Sequence, residues 1–257
     1  MMEIETLNDY CQIATSIAKG AVAEALKDFS GSRQVKLDLE RDIKIYADTE
    51  IESYIVSELR KYSEYPILAE ESGLSEQPLS IDNPVGYKWI VDPLDGSLNF
   101  SRGIPICCVS IALWQETNPL LGVIYDFNHD ELFTGIVGSG AWLNSKAITV
   151  SKVSQKSKAV ICSGFPVSTN FSDLSLREFV NNVQIYKKVR MIGSAALSLA
   201  YVASGRVDCY IENDIKIWDV AAGLALVSAA GGSVNCVPSK NKYILRVEAS
   251  NGLIDIR

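Results

Sequence analysis

Between residues 3 and 29 apolar side chains recur every three or four positions: Leu7, Tyr10, Cys11, Ala14, Ile17, Ala18, Ala21, Val22, Ala25 and Phe29. That is the period of one helix face, and Ser30-Gly31 supplies its stop. A charged connector follows, and Ile51, Tyr54, Ile55 and Leu59 predict a second helix from about Asp48 to Tyr62. Pro66-Ile67-Leu68-Ala69 predicts a short buried strand ending in Glu70-Glu71, and residues 73–86 read as loop. From Lys88 the pattern turns to strands. Strands are predicted at 88–91, 107–114, 120–125, 131–137 and 147–150, parted by turns such as Asn128-His129 and Gly138-Ser139-Gly140. A further strand covers 160–163, and the remainder alternates: helix 172–182, strand 187–191, helix 194–203, strand 209–211, helix 218–230, then two short strands.

A helical start, an antiparallel middle and an alternating finish predict layered α/β or α+β architecture with helices between sheets. No repeat, low-complexity segment or long linker divides the 257 residues. The expectation is therefore one domain, 1–257, with two lobes meeting near residue 150. With 47% hydrophobic and 21% charged residues there is ample material for a core. The net charge of −7 and the lack of a basic patch argue against binding nucleic-acid backbone. An acidic chain can still take an anionic substrate if metal ions stand between them. No signal peptide or membrane-length apolar run is seen, and six scattered cysteines without a C-x-x-C pair read as buried thiols of a cytoplasmic protein. Cys107 and Cys108, adjacent in a strand, should face opposite sides.

Chemistry gathers where acid meets structure. The string W-I-V-D-P-L-D-G-S-L-N-F (89–100) begins as sheet interior and then turns acidic. Asp92 and Asp95, three apart around Pro93, can face one point together with the backbone carbonyl of Leu94. Oxygen ligands without a nearby His or Cys favour a hard cation such as Mg²⁺ over zinc. A helix starting at Gly96-Ser97 would set its amides and positive dipole end beside that metal, where they hold an anion. The same string also fits two successive turns. Glu70-Glu71 fits a surface pair as well as a ligand, and because side chains alternate along a strand only one of the two can reach a given ion. Asp219, entering an Ala-rich helix, reads on its own as an N-cap, as does Asp48. Gly193-Ser194-Ala195-Ala196 opens a helix with room for a ligand against its amides, and Glu212 at a strand end fits plain surface. His129 is the only histidine and lies in a turn, which removes mechanisms built on a histidine base.

Taken together, the strings A-E-E-S (69–72), W-I-V-D-P-L-D-G-S-L-N-F (89–100), G-S-A-A (193–196), Y-I-E (210–212) and W-D-V-A-A-G (218–223) resemble the inositol monophosphatase family. D-E-L-F-T-G (130–135) and G-S-G-A-W-L-N (138–144) support it, so the resemblance runs along nearly the whole chain. It implies an αβαβα sandwich, the inositol monophosphatase/fructose bisphosphatase fold, and lithium-sensitive, Mg²⁺-dependent phosphatase chemistry. It further implies metal ligands at Glu70, Asp92, the Leu94 carbonyl, Asp95 and Asp219, with two Mg²⁺ sharing Asp92 and a third, weaker ion near Glu70. By the same resemblance, Glu70 and the Ser97 hydroxyl orient the attacking water, with Asp48 behind that hydroxyl. The amides of Gly96 and Ser97 hold the phosphate. Gly193, Ser194, Ala195 and Glu212 line the pocket for the alcohol, and Asp95 and Asp219 also face the substrate. Residues 1–150 would then bind metal and phosphate, and 151–257 would form the substrate pocket and give one metal ligand.

The chain departs from the family pattern in places. Ser97 replaces the commoner Thr, Ala69 the commoner Gly, and Asp42-Ile43-Lys44-Ile45 lacks the usual Thr ahead of Asp48. Asn99-Phe100 resembles the subgroups acting on inositol and sugar phosphates. Phosphatases of 3′-phosphoadenosine 5′-phosphate or fructose 1,6-bisphosphate are the alternatives, the latter kept open by Lys187, Lys188 and Arg190. Another is a non-catalytic regulatory relative, against which stands the full carboxylate set. A haloacid-dehalogenase-type aspartyl nucleophile fits poorly, because its two acids sit two residues apart. The expected partner is a small phosphorylated polyol or sugar, with no nucleic acid and no membrane; a homodimer is compatible with the resemblance.

Overall fold

The computed structural model describes residues 2–25, 35–38, 43–74, 86–165, 171–239 and 243–256. Helix α1 spans Ile4–Ala25, so the last four residues of the predicted first helix lie outside the described residues. Strands β1 (Val35–Asp38) and β2 (Ile43–Ile45) form a small antiparallel pair within the stretch read as a charged connector. Helix α2 (Tyr46–Leu59) buries Ala47, Asp48, Ile51, Glu52, Ile55 and Leu59 on one face. Two carboxylates on that apolar stripe have no role in packing alone.

Strands β3 (Ile67–Ala69), β4 (Gly73–Leu74) and β5 (Tyr87–Asp95) follow, then helix α3 (Ser97–Arg102) and strands β6 (Cys108–Gln115), β7 (Asn118–Asp126), β8 (Glu131–Ile136), β9 (Gly140–Leu143) and β10 (Lys146–Ile148). They make an eight-stranded sheet of order β10-β9-β8-β7-β6-β5-β3-β4, in which only the β3–β5 pairing is parallel. Strand β9 occupies part of what the glycine pattern marked as turn, and β4 the first residues of the predicted loop; residues 75–85 of that loop lie outside the described residues.

Strand β11 (Val160–Ser163), helix α4 (Asp173–Ile185), strand β12 (Lys188–Arg190), helix α5 (Ala195–Ala203), strand β13 (Cys209–Lys216), helix α6 (Ile217–Ala229) and strands β14 (Ser233–Pro238) and β15 (Ile244–Ser250) complete the described elements. The second sheet has order β12-β11-β13-β15-β14. Strand β13 runs five residues beyond its predicted end because β15 pairs along it as far as Lys216↔Ile244.

Two cores set the layering. Leu7, Ile17, Ile51 and Ile55 from α1 and α2 meet Trp89, Val91, Val109, Ile111 and Val123 on one face of the large sheet. On its other face Leu68, Ile90, Cys108, Ala112, Ile124 and Phe133 meet α5 and α6, which also cover Tyr210, Ile215, Val247 and Ala249 of the second sheet. Helix α6 is consequently buried without a break from Val220 to Val227, as a helix held between two sheets must be. Its backbone approaches β7 so closely that a Cβ at Gly122 would stand 2.2 Å from the Ala222 carbonyl oxygen. Helix α4 lies against β12 at the edge of the second sheet. The order is helix, sheet, helix, sheet, helix, the expected αβαβα sandwich. Cys107 and Cys108 enter opposite cores, and all six cysteines are free. Among the described residues no helix is long and apolar enough to cross a membrane.

Candidate active site

Side chains three apart on a regular strand point to opposite faces. Asp92 and Asp95 escape this through a β-bulge. Asp92 pairs with Ser110 and Asp95 with Cys108, so three steps on β5 match two on β6. The extra residue shifts the phase of the alternation, and Pro93 supplies a position with no N–H to leave unpaired. Asp92 accepts from the Leu94 amide at 3.0 Å, which fixes the bulge. Both carboxylates end on the α5/α6 side of the sheet, while Val91 and Leu94 join the opposite core.

Parallel strand β3 delivers Glu70 beside them, and the first turn of α6 delivers Asp219. Carboxylate oxygens of Glu70, Asp92 and Asp219 lie within 4.8 Å of one another. Asp92 is 1% exposed. Burial pushes its carboxyl well above the usual carboxylate range, and the charges of Glu70, Asp95, Asp219 and Asp48 add to the effect. Asp219 is raised for the same reasons, burial first and then Glu70 and Asp95. Crowded acids facing one point are what a cation would relieve. Two oxygens bound at about 2.1 Å to a hard dication stand at most about 4.2 Å apart, so this trio needs only small rotations to share an ion. An all-oxygen donor set fits Mg²⁺ rather than zinc.

Ser97 is the first residue of α3. Its Oγ lies 2.9 Å from Asp48 Oδ1 and 2.9 Å from the Leu94 carbonyl oxygen, and its single proton serves one acceptor at a time. Asp48 sits inside the first turn of α2, where Oδ2 accepts from the Ile45 amide at 2.8 Å. It caps the helix from within the first turn, and Ile45 is the N-cap residue, which corrects the sequence expectation. Burial lifts the Asp48 carboxyl to about 6 against the lowering effect of the Ile45 and Ser97 bonds. Asp219 likewise lies in the first turn of α6, after the N-cap Lys216, rather than at the N-cap itself. Gly96, before Ser97, has φ 91°, and a Cβ there would stand 2.7 Å from the Ile106 carbonyl oxygen and 3.2 Å from that of Gly193. Only glycine fits.

Asp95 stands apart from the close trio. Its Oδ2 accepts from Ser194 Oγ at 2.5 Å and from the Ala196 amide at 2.7 Å, so it ties β5 to the start of α5. Burial nevertheless holds its carboxyl at about 6, with these bonds opposing. Asn99 Nδ2 donates to the carbonyls of Ile106 and Ile192 at 2.8 and 2.9 Å, which brings the Gly193 turn against α3. Glu212, 8% exposed on β13, accepts from Tyr210 Oη at 2.8 Å, and burial lifts its carboxyl to about 7. Gly164 leaves the space that Glu212 fills, since a Cβ there would meet the carboxylate at 2.8–3.0 Å.

A model of the inositol monophosphatase family matches residues 6–253. The chain belongs to this family. An inositol-1-monophosphatase of Synechocystis sp. is 36% identical over 96% of this chain and 86% of its own length. The Nus factor SuhB of Pasteurella multocida is 38% identical over 78% of this chain and 74% of its own. The solved structure of the inositol monophosphatase from Anabaena (Nostoc) sp. superposes with a TM-score of 0.82 at 37% identity, covering 96% of this chain and 92% of that one. Family and fold thus set this chain among the inositol monophosphatases and SuhB proteins.

Within the inositol monophosphatase frame, the residues singled out in sequence gather at two neighbouring places. Glu70, Asp92, Asp219, Ser97 and Asp48 form one; Gly193, Ser194, Ala195 and Glu212 form its flank, joined to it through Asp95. Other side chains carried no motif. Glu52 on α2, 5% exposed, accepts from the Glu71 and Ser72 amides at 2.8 Å each and so fixes the turn that presents Glu70. Its signal was a carboxylate one helical turn after Asp48 on an otherwise apolar face. Glu71 is outside the trio and pairs with Lys44 at 2.7 Å. Lys216 lies 3.9 Å from Glu70. His129 bonds Asp126 in its turn at 2.9 Å, away from these groups.

Proposed function

We propose that this chain is a Mg²⁺-dependent phosphomonoesterase acting on a phosphate ester of inositol or a sugar. The observation that carries the reading is the convergence of Glu70, Asp92 and Asp219 within 4.8 Å, next to the Ser97–Asp48 pair. Glu70, Asp92, the Leu94 carbonyl, Asp95 and Asp219 are the residues that would hold two to three ions. Bound there, Mg²⁺ would screen the substrate's phosphate and acidify a water. Asp48 accepts the Ser97 proton, and Ser97 Oγ then offers its lone pairs to a water and fixes its direction. Glu70 orients the same water from the rim. The amides of Gly96 and Ser97 anchor the phosphate, and Asp95 and Asp219 face the ester. Glu212, with Oε2 engaged by Tyr210, turns its other oxygen to a hydroxyl of the polyol beside Gly193, Ser194 and Ala195. A carboxylate accepts from hydroxyls and repels a second phosphate, which favours a monoester over a bisphosphate substrate.

In this reading the chain is one catalytic unit, with 1–150 supplying metal and phosphate contacts and 151–257 supplying Asp219 and the alcohol pocket. A homodimer is compatible with the family resemblance, and light scattering would detect it. A Nus-factor role, the name carried by the Pasteurella relative, is the second reading; the complete carboxylate set favours catalysis. Asp219→Asn removes one ligand charge without changing shape, and turnover should fall about a thousandfold with the fold intact. Undiminished turnover in a well-folded Asp219→Asn protein would contradict the assignment.

A further inference from the structure

Lys216 places an ammonium at the rim of the carboxylate trio. Its Nζ is 3.9 Å from Glu70 Oε1 and 5.3 Å from the centre of the Trp218 ring. At 3.9 Å the contact with Glu70 is an attraction of charges and not a directional hydrogen bond. The neighbouring acid is treated differently, since Lys44 Nζ reaches both oxygens of Glu71 at 2.8 and 2.7 Å. Stability does not account for Lys216. It is the N-cap residue of α6, where a positive charge opposes the helix dipole. Its side chain is 38% exposed, and an ion pair open to water contributes little.

We propose that Lys216 is a tethered cation that weakens divalent-metal binding at the Glu70 edge and so limits how many ions the cluster holds. The inference rests on the metal-holding role of the trio proposed above. It is a positioning role exerted through Glu70, not a contact with substrate. Because the ammonium and any ion seated by Glu70 would share one carboxylate, each entering dication must displace or oppose it. Even with water-like screening, a unit charge about 5 Å from a dication lowers that ion's affinity roughly tenfold. The face of Trp218 gives the displaced ammonium a second resting place, as cations favour indole rings. Ions held mainly by Asp92 lie further from Lys216 and should feel it less.

The test is a titration of the metal-stripped full chain with Mn²⁺, reading free Mn²⁺ by paramagnetic resonance, without substrate. Wild type, Lys216→Gln and Lys216→Arg are compared. Removing the charge in Lys216→Gln should tighten the weakest class of sites about tenfold and the tight class by a smaller factor, about fourfold. The conservative Lys216→Arg should follow wild type, and melting temperatures in chelator should agree among all three. A Lys216→Gln isotherm that superimposes on wild type would overturn the role of the lysine while leaving the metal reading standing. A wild-type chain that takes up no Mn²⁺ would overturn both.

Discussion

The turn that presents Glu70 hangs from one carboxylate, and Glu52→Gln isolates its contribution. The fork of Glu52 takes the amides of Glu71 and Ser72, one on each oxygen, at 2.8 Å. Glutamine keeps the length but has a single oxygen, so its NH₂ group would confront an amide N–H, donor against donor. One charge-assisted bond is lost and one sequestered N–H is left without an acceptor, at a cost of about 2 kcal/mol. For a chain of this size each kcal/mol moves the melting temperature by roughly 2–4 °C, so a fall of about 4–8 °C is expected by calorimetry. The turn should also loosen, and Mn²⁺ affinity should drop with it although Glu52 itself is no ligand. A melting temperature within about 1 °C of wild type, with unchanged metal binding, would refute the reasoning.

Ser97→Ala keeps the backbone of α3 but removes the hydroxyl that orients water, so kcat should fall by about a hundredfold with KM little changed, while Ser97→Thr should retain activity. Steady-state kinetics on the two variants separates these outcomes. Without metal, Asp48 and Asp95 are held at about 6 and Glu212 at about 7, all above their unfolded values. The folded chain therefore binds more protons than the unfolded one between about pH 4 and 7, and stability must decline as pH rises through that window. Melting curves in chelator should show the decline, and Mg²⁺ should reverse it at pH 7.5 far more than at pH 5; a rise with pH in chelator would contradict it. Tyr210→Phe frees Glu212 Oε2 from its donor, so KM for a polyol phosphate should rise several-fold with kcat within about twofold, the cost of one buried hydrogen bond. Gly164→Ala, whose Cβ would press on the same carboxylate, should raise KM in the same direction.

Much of this architecture was legible in the residues. Helical periods locate α1 and α2, and short apolar runs parted by turn residues locate most of the large sheet. Asp92 and Asp95 stand out because a carboxylate at the end of a buried apolar run is costly without a partner, whereas Glu70 and Asp219 become ligands only through the family resemblance. Local pattern could not foresee the bulge at Pro93, which depends on the partner strand β6, nor the extension of β13 to Lys216, which depends on β15. Strand β9 escaped notice because its glycine-flanked residues punctuate like a turn until β8 and β10 pair on either side. Asp48 and Asp219 were read as N-caps, since sequence shows an acid near a helix start but not the residue at which the helix begins. Glu52 and Lys216 act through long-range neighbours, Glu71 and Glu70, and their importance appears only once β3 is laid beside α2 and α6.

The most direct test of the account is phosphate release with Mg²⁺ and with chelator. The substrates are inositol 1-phosphate, several sugar phosphates, fructose 1,6-bisphosphate and 3′-phosphoadenosine 5′-phosphate, each with and without Li⁺. The account predicts Mg²⁺-dependent turnover of an inositol or sugar monophosphate, suppressed by Li⁺ and absent in chelator. Undiminished turnover in chelator, or none of any substrate by protein that binds Mg²⁺, would contradict it.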